Sequence, residues 1–587
     1  MRTQLYLAPR PGHWLFTLCL TASLAAACSD DDSTKKRGGE DAGTGDGSSN
    51  GGEGGSAGNS AAGAGASAGV GGAGAQGGVG GSGTAGVGGA SVGGSAGAGG
   101  SSGSSAGGAS GSGGTGGGSG GAAGSGGGTG GAGGTGGTVP ALFCGDGLLD
   151  LTKEECDGDA EGRAGATVTC DTSCKLKSWC NIAPTPASAG APAIGCVFPQ
   201  AGRASGGTYA TISGAGFNAN TTVRIGGAAA TVLFTSATQL TFFAPAGTAN
   251  TWADVVVENT GGLSATRTNA FAFHEDANVA MNSNDTGTGS LRATIAAASS
   301  GDFVTLDRFV AGQQINVGAS LLVNKPLTIV GLGAGRTVLD GGGSGGVIGF
   351  QNNNLNELFG VTVTNGEGGS GAGVSNRGGR LTVTECAIVG NTTSGEGGGI
   401  YSDVGGYLIV QRSTISGNTG NAGAGIRLVG PTPQATVINS TISGNTGAGI
   451  FSDIPLTVRG STIVGNSAAG IVARSGVCTI SGSVVALNTT DVTGVSGFVS
   501  QGYNLIGVAP VGGPWGSSDK TGTSGSPLAP MLGALALNFG LTQTHLPLSG
   551  SPVLDAGDPV STLTEDQARM PRPSAGIVDI GSVELQQ

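Results

Sequence analysis

Apolar positions recur in a fixed phrase over the second half of the chain. From residue 358 onward the pattern aliphatic-x-x-Ser-x-Ile-x-Gly-Asn returns at Val383…Cys386…Ile388…Asn391, Val410…Ser413…Ile415…Asn418, Val437…Ser440…Ile442…Asn445 and Val458…Ser461…Ile463…Asn466. A weaker copy is Ile480…Ser483…Val485…Asn488, and the Asn spacings are 27, 27, 21 and 22. A second phrase, Gly followed by Val or Ile, precedes each copy at Val374, Ile400, Ile426, Ile450 and Ile471, spaced 26, 26, 24 and 21. Inside each phrase apolar and polar residues alternate with the period of a strand. A period of 21–27 residues built from short β-branched alternation is one coil of a right-handed parallel β-helix. One coil cannot bury its apolar side alone, but stacked coils form aliphatic ladders and a continuous core.

The rest of the phrase has local meaning. Asn391, Asn418, Asn445 and Asn466 are expected to stack in a turn, where Asn tolerates left-handed backbone and bonds neighbouring peptide groups. The Gly beside each Asn or Ile is expected to supply positive φ at sharp corners. Cys386 fills the slot held elsewhere by Ser413, Ser440, Ser461 and Ser483, and reads as a small buried filler, as does Cys478. The two lie about four coils apart, too far for a disulfide. Ahead of the repeat, Ser290-Leu-Arg-Ala-Thr-Ile295-Ala-Ala-Ala298 predicts a short amphipathic helix capped by Ser290. It is placed to cover the open lower end of the first coil.

A different alternation occupies 193–275. Gly206-Gly-Thr-Tyr-Ala-Thr-Ile212-Ser-Gly-Ala-Gly-Phe217 is a strand followed by a glycine turn; Thr222-Val-Arg-Ile225-Gly-Gly and Ala253-Asp-Val-Val-Val257 are further strands. The run G-G-T…I-x-G-x-G-F…V-x-I-G-G…P-A-G-T…V-V-V-x-N…G-G…F-x-F resembles an IPT/TIG domain. That resemblance implies an Ig-like β-sandwich acting as a spacer or binding module, and the segment shows no catalytic constellation.

Composition changes the picture at the N-terminal end. Of 587 residues 125 are Gly, and nearly half of 41–138 is Gly. Between about 29 and 138 there is no aromatic and almost no large aliphatic residue, so the stretch cannot offset its ordering entropy. Residues 28–138 are therefore expected to form a disordered tether. Residues 1–27 read as a secretory signal, with Arg2 and Arg10 before the apolar run Trp14–Ala27, too short to span a bilayer. The ending Leu24-Ala-Ala-Ala27-Cys28 resembles a bacterial lipobox, although Leu stands one place early. That implies lipidation of Cys28, a membrane partner through the lipid anchor, and an exported, outer-membrane or cell-surface location. An ordinary signal peptide with an incidental Cys is the alternative. The net charge of −12 argues against nucleic acid as a partner.

Residues 139–192 are dense in Cys and Asp. Cys144, Cys156, Cys170, Cys174, Cys180 and the nearby Cys196 are disulfide candidates, since a module this small needs cross-links in place of a core. Six Cys allow 15 pairings and the sequence does not choose among them. The CGDG…E-x-CD…C-x-x-x-C pattern resembles a Cys-rich repeat of myxobacterial surface proteins. Asp146, Asp150, Asp157 and Asp159 have the oxygen chemistry of a calcium site, but solvated turns are the preferred reading, and no cofactor is otherwise expected.

The solenoid, 276–587, ends in Leu532-Gly-Ala-Leu…His545…Asp555…Asp566-Gln…Arg569-Met-Pro-Arg572…Asp579-Ile-Gly-Ser-Val-Glu584. This resembles the choice-of-anchor Q pattern of bacterial surface β-helix proteins and implies a C-terminal cap. Asp566, Arg569, Arg572, Asp579 and Glu584 are read as ion pairs fixing that cap, and His545 as structural.

Many parallel β-helices are polysaccharide lyases or hydrolases, with carboxylates and a basic residue on an outer face. One residue past each Gly-Ile anchor stand Ser375, Tyr401, Arg427, Phe451 and Val472, and three past it Arg377, Asp403, Val429, Asp453 and Arg474. Alternation sends both sets outward. The result is a candidate glycan-binding stripe of Tyr401, Asp403, Arg427, Phe451 and Asp453. Asp403 and Asp453 should lie about 9.5 Å apart at two strand spacings, near the upper limit for an inverting carboxylate pair. Tyr401 and Phe451 could stack on sugar rings and Arg427 could hold a uronate. A solubilising Arg/Asp ladder accounts for the same residues. The expected role is a structural or adhesive cell-surface lipoprotein, with a polysaccharide or surface protein as partner. A pectinase-like lyase or hydrolase is the alternative, and no catalytic residue is assigned.

Overall fold

The computed structural model describes residues 184–586, apart from 352–353, 404, 431–433, 495–496 and 575. The signal, Cys28, the tether, Cys144 to Cys180 and the four calcium-candidate acids lie outside the described residues. Cys196 is disulfide-bonded and 4 % exposed.

Residues from Ala193 to His274 form a two-sheet antiparallel sandwich with one parallel edge pair. One sheet runs in the order Ala193–Phe198, Tyr209–Ala215, Gln239–Phe243, Thr231–Thr235; the other Ala201–Arg203, Ser264–His274, Thr251–Glu258, Thr222–Ile225, Ala228–Ala229. Ile212, Leu240, Phe242, Val223, Ile225, Val255, Val257 and Phe271 alternate inward and form its core. Asn259 locks one end: it accepts from the Thr221 hydroxyl (2.6 Å) and donates to the carbonyls of Gly190 (2.9 Å) and Gly216 (2.7 Å).

The chain then enters a solenoid of three parallel sheets, about nine turns long. Sheet A runs from Val279–Ala280 to Phe498–Ser500, sheet B from Gln314–Asn316 to Lys520–Thr521, and sheet C from Leu321–Val323 to Thr490–Gly494. The aliphatic ladders follow the repeat residue for residue. Val383, Val410, Val437, Val458 and Ile480 stack in sheet A, and Ile388, Ile415, Ile442, Ile463 and Val485 in sheet B. Val374, Ile400, Ile426, Ile450 and Ile471 stack in sheet C. All are buried in one core. The helix Leu291–Ala297 is capped by Ser290, whose hydroxyl accepts from the Ala293 amide, and it buries Leu291 and Ile295 in that core.

Two turn expectations need correction. The stacked Asn residues do not adopt positive φ; the preceding Gly390, Gly417, Gly444 and Gly465 do. The Asn side chains instead form a buried ladder. The Oδ1 of Asn418 accepts both the backbone N–H (3.0 Å) and the Nδ2 (3.0 Å) of Asn391, and Asn445, Asn466 and Asn488 repeat this on the coils that follow. The Gly before each Ile is needed for space rather than φ. A Cβ on Gly399 would stand 2.6 Å from the Gly425 carbonyl oxygen and 2.9 Å from Asn418 Nδ2. Cys386 does fill the Ser slot: its amide donates to the Ser413 hydroxyl, as Ser413 does to Ser440. Cys386 and Cys478 are both free and buried.

The C-terminal segment is not an end cap. It zigzags back across the outer face of sheet B as a strap. Gln567 joins the outward hydroxyls of Thr414 (3.1 Å) and Thr441 (2.7 Å), and Ser582 joins those of Thr441 (2.9 Å) and Thr462 (3.1 Å). His545 is held between Ser443 and the Gly533 carbonyl. Within the strap Asp566 accepts from the amides of Met570 and Glu584, and Arg572 pairs with Glu584 at 3.5 Å. These residues are structural, as their sequence context suggests, but they fix a strap. At the far end of the solenoid Trp515, set against Phe498, packs on the core.

The sandwich lies against the first strands of sheet A. Trp252 packs on Phe303 and Phe359, with ring centroids 5.9 and 4.7 Å away, and its indole N–H donates to Glu357 (3.3 Å). Ala201, Ala272 and Val330 complete the seam.

Candidate functional site

With the strap over sheet B and the sandwich over the first strands of sheet A, sheet C presents its outer face uncovered by either. Its register sets Tyr401 beside Arg427 and Arg427 beside Phe451, and Arg377 beside Asp403. The amides of Val429, Asp453 and Arg474 continue the second column. The outward stripe expected from the repeat is therefore present, but its two halves differ in chemistry.

The half around Arg427 is closed. Arg427 is only 3 % exposed. Its guanidinium donates to Glu396 (3.1 Å), Asp453 (2.7 Å) and the Leu428 carbonyl (2.8 Å), and lies 4.6 Å from the Phe451 centroid. Arg474 sits 5.4 Å from the same ring and donates to Asp453 at 2.6 Å. Burial works against ionisation of Asp453, but hydrogen bonds from Arg474 and Arg427 outweigh it and hold the carboxyl below its ordinary range. Arg427 thus has its guanidinium committed rather than open to a uronate. Phe451 is covered by guanidinium, and Asp453 is a stably ionised ligand of two arginines, the wrong state for a general acid. The uronate-holding role expected of Arg427 is corrected accordingly.

The half around Tyr401 is open. Arg377 is exposed, and Tyr401 and Asp403 are half-buried. Burial, then the charge of the neighbouring Asp403, push the pKa of the Tyr401 phenol up. Asp403 Oδ1 is buried and meets no donor. Around the corner on sheet A stands Tyr407, 50 % exposed, whose carbonyl accepts from the buried Asn376. An aromatic face, a guanidinium and a carboxylate of neighbouring coils are the groups that grip a sugar.

Sequence reasoning placed Arg377 in the right column but not in the stripe, and missed Tyr407 and Glu396. Tyr407 had a usable signal, being one of only five Tyr in the chain. Glu396 had none, because it enters from a Gly-rich turn. No group of three or more His, Cys, Asp or Glu suited to a metal occurs among the described residues.

Comparison with known proteins supports the architecture. Residues 192–274 match the IPT/TIG domain family. Residues 335–485 match the family described as right handed beta helix region. The described residues thus form an Ig-like TIG domain followed by a β-solenoid. No curated protein matches it. One solved structure with a match is a Bacteroides thetaiotaomicron protein described as a candidate phosphatase, 22 % identical over 16 % of this chain and 20 % of its own, with a TM-score of 0.13. The chain spans about a fifth of that structure's length, and so low a score carries no argument about fold or activity.

Proposed function

We propose that this is a cell-surface adhesive protein, held at the membrane by a lipid on Cys28, that binds glycan through the open half of sheet C. The observation that carries the reading is the exposed Arg377 beside the half-buried Tyr401 and Asp403, on a sheet that neither the sandwich nor the strap covers. The TIG and β-helix domains are compatible with surface binding. The ionised, doubly paired Asp453 weighs against the alternative of an inverting glycosidase built on Asp403 and Asp453, which needs one carboxyl kept protonated.

The test is a glycan array read beside reducing-sugar and unsaturated-uronate assays. Binding without turnover, lost in Tyr401→Ala/Asp403→Ala, supports adhesion. Turnover abolished by Asp403→Ala/Asp453→Ala would replace it with the lyase or hydrolase reading. A flat array sinks the glycan assignment. Mass measurement of the mature N-terminal peptide tests the lipid on Cys28.

A further inference from the structure

A second cleft opens where the sandwich meets the first solenoid coil. The strand Ala201–Arg203 pairs in parallel with the end of Ser264–His274, setting Ala201 beside Ala272 and Arg203 beside His274. Strand periodicity turns both pairs to the same side. Ala201 and Ala272 are buried against Phe303, Val330 and Phe359. Arg203 and His274, two residues further on, therefore emerge at the margin of that seam. The cleft they line measures about 290 Å³, and its solenoid wall is Val279, Leu306, Asp307 and Arg308. That is close to the lower end of small-molecule sites, roughly 300 Å³.

The chemistry of the lining is specific. His274 Nδ1 lies 2.8 Å from the Glu275 carbonyl oxygen, which can only accept. Nδ1 therefore carries the proton and Nε2 is left as a lone-pair acceptor. The imidazole is 3 % exposed, and burial favours its neutral form. Arg203 stands beside it with an exposed guanidinium. The Arg308 guanidinium lies 4.8 Å over the Tyr209 ring and braces the opposite wall. In a chain of net charge −12, Arg203 and Arg308 line the cleft with one carboxylate, Asp307, and Asp276 is close enough for its charge to act on His274.

We infer that this cleft binds an acidic monosaccharide unit, a uronate, its carboxylate on Arg203 and a ring hydroxyl donating to His274 Nε2. A neutral sugar leaves the guanidinium charge unanswered, and a fully deprotonated anion such as sulfate leaves the Nε2 acceptor without a donor. The site shares no residue with the sheet C stripe and does not depend on glycan binding there.

The experiment is calorimetric titration of the full chain with sodium glucuronate and galacturonate, with glucose and inorganic sulfate as comparators. The expected result is saturable uronate binding weakened about tenfold or more by Arg203→Ala. Ser205→Trp, which fills the cleft from an exposed rim position without touching the core, should weaken it similarly, and Tyr401→Ala should leave it unchanged. Absence of uronate binding, glucose or sulfate binding as tightly, indifference to both cleft variants, or loss in Tyr401→Ala would each overturn the inference.

Discussion

Arg569 of the C-terminal strap donates to the carboxylate of Glu385, 184 residues earlier in the chain. Arg412, one coil on, donates to the same carboxylate at 3.1 Å, and Gln200 of the sandwich at 3.4 Å. One buried acid thus joins sandwich, solenoid and strap. Glu385 and Arg412 hold positive φ at a corner where later coils use Gly460 and Gly482, so their anchoring contacts sustain backbone that Gly would adopt without strain. Glu385→Gln should cost about 3 kcal/mol by leaving buried guanidiniums unpaired; urea unfolding checks it.

The pH dependence of stability should have two limbs of opposite sign. Burial opposes the charge of Glu385, but Arg569, Arg412 and Arg267 bring its pKa down to about 2 from an ordinary 4.5. Its contribution is present in full above 4.5 and lost as pH falls toward about 2. Asp566 is pushed up by burial to about 6 from an ordinary 3.8, so its ionised form is penalised in the fold and the penalty lifts as pH falls through about 6. Glu357 and Asp579 are raised in the same direction, also by burial. Melting temperature should rise from pH 7.5 to about 5 and then fall steeply. Glu385→Gln should flatten the acid limb, and a melting series that rises monotonically with pH contradicts the assignment.

The Asn ladder should be most costly to break in its interior. Asn418→Ala leaves the Asn391 amide and the Ile388 carbonyl without their partners. The expected loss is about 2–6 kcal/mol, at about 1–3 for each of the two buried groups left unsatisfied, measured by denaturant unfolding.

Glycine substitutions should separate two roles. Gly399→Ala drives a Cβ into the Gly425 carbonyl and should prevent proper stacking. Gly312→Ala, at φ 79° with nothing within 4 Å of the new Cβ, should cost only about 1 kcal/mol. Soluble yield and circular dichroism of the two variants give the comparison.

The two halves of the stripe should respond oppositely. Arg427→Met should lower stability by about 2 kcal/mol while sparing glycan binding, since it strips Asp453 of one partner and Glu396 of its ion pair. Arg377→Ala should do the reverse. Melting temperature and array signal, read together on both variants, decide this.

Much of the solenoid could be read from sequence because its contacts are between equivalent residues of successive coils. Ile388, Ile415, Ile442 and Ile463 touch at a near-constant spacing, so a repeat in sequence is a stack in space. The strap escaped that logic. Nothing about Thr414, Thr441 or Thr462 distinguishes a hydroxyl facing water from one met by Gln567 or Ser582 more than a hundred residues later. The burial of Arg427 was hidden for a related reason: it depends on Glu396, which stands in a turn outside the repeated phrase. The corner glycines were located correctly but half of them were given the wrong reason. Composition cannot distinguish a residue that needs positive φ from one that has no room for a Cβ.

The strap also changes how the solenoid carries load. A bare stack of coils, each held only by its neighbours, would peel from one end a single turn at a time. Here Gln567 and Ser582 together tie three successive coils across their outer hydroxyls, and Gly581 reaches a fourth through the Gly482 carbonyl. Those coils cannot part singly. Tension along the axis must shear the whole belt at once, as in a splinted rod, so rupture should be a single high-force event rather than a staircase.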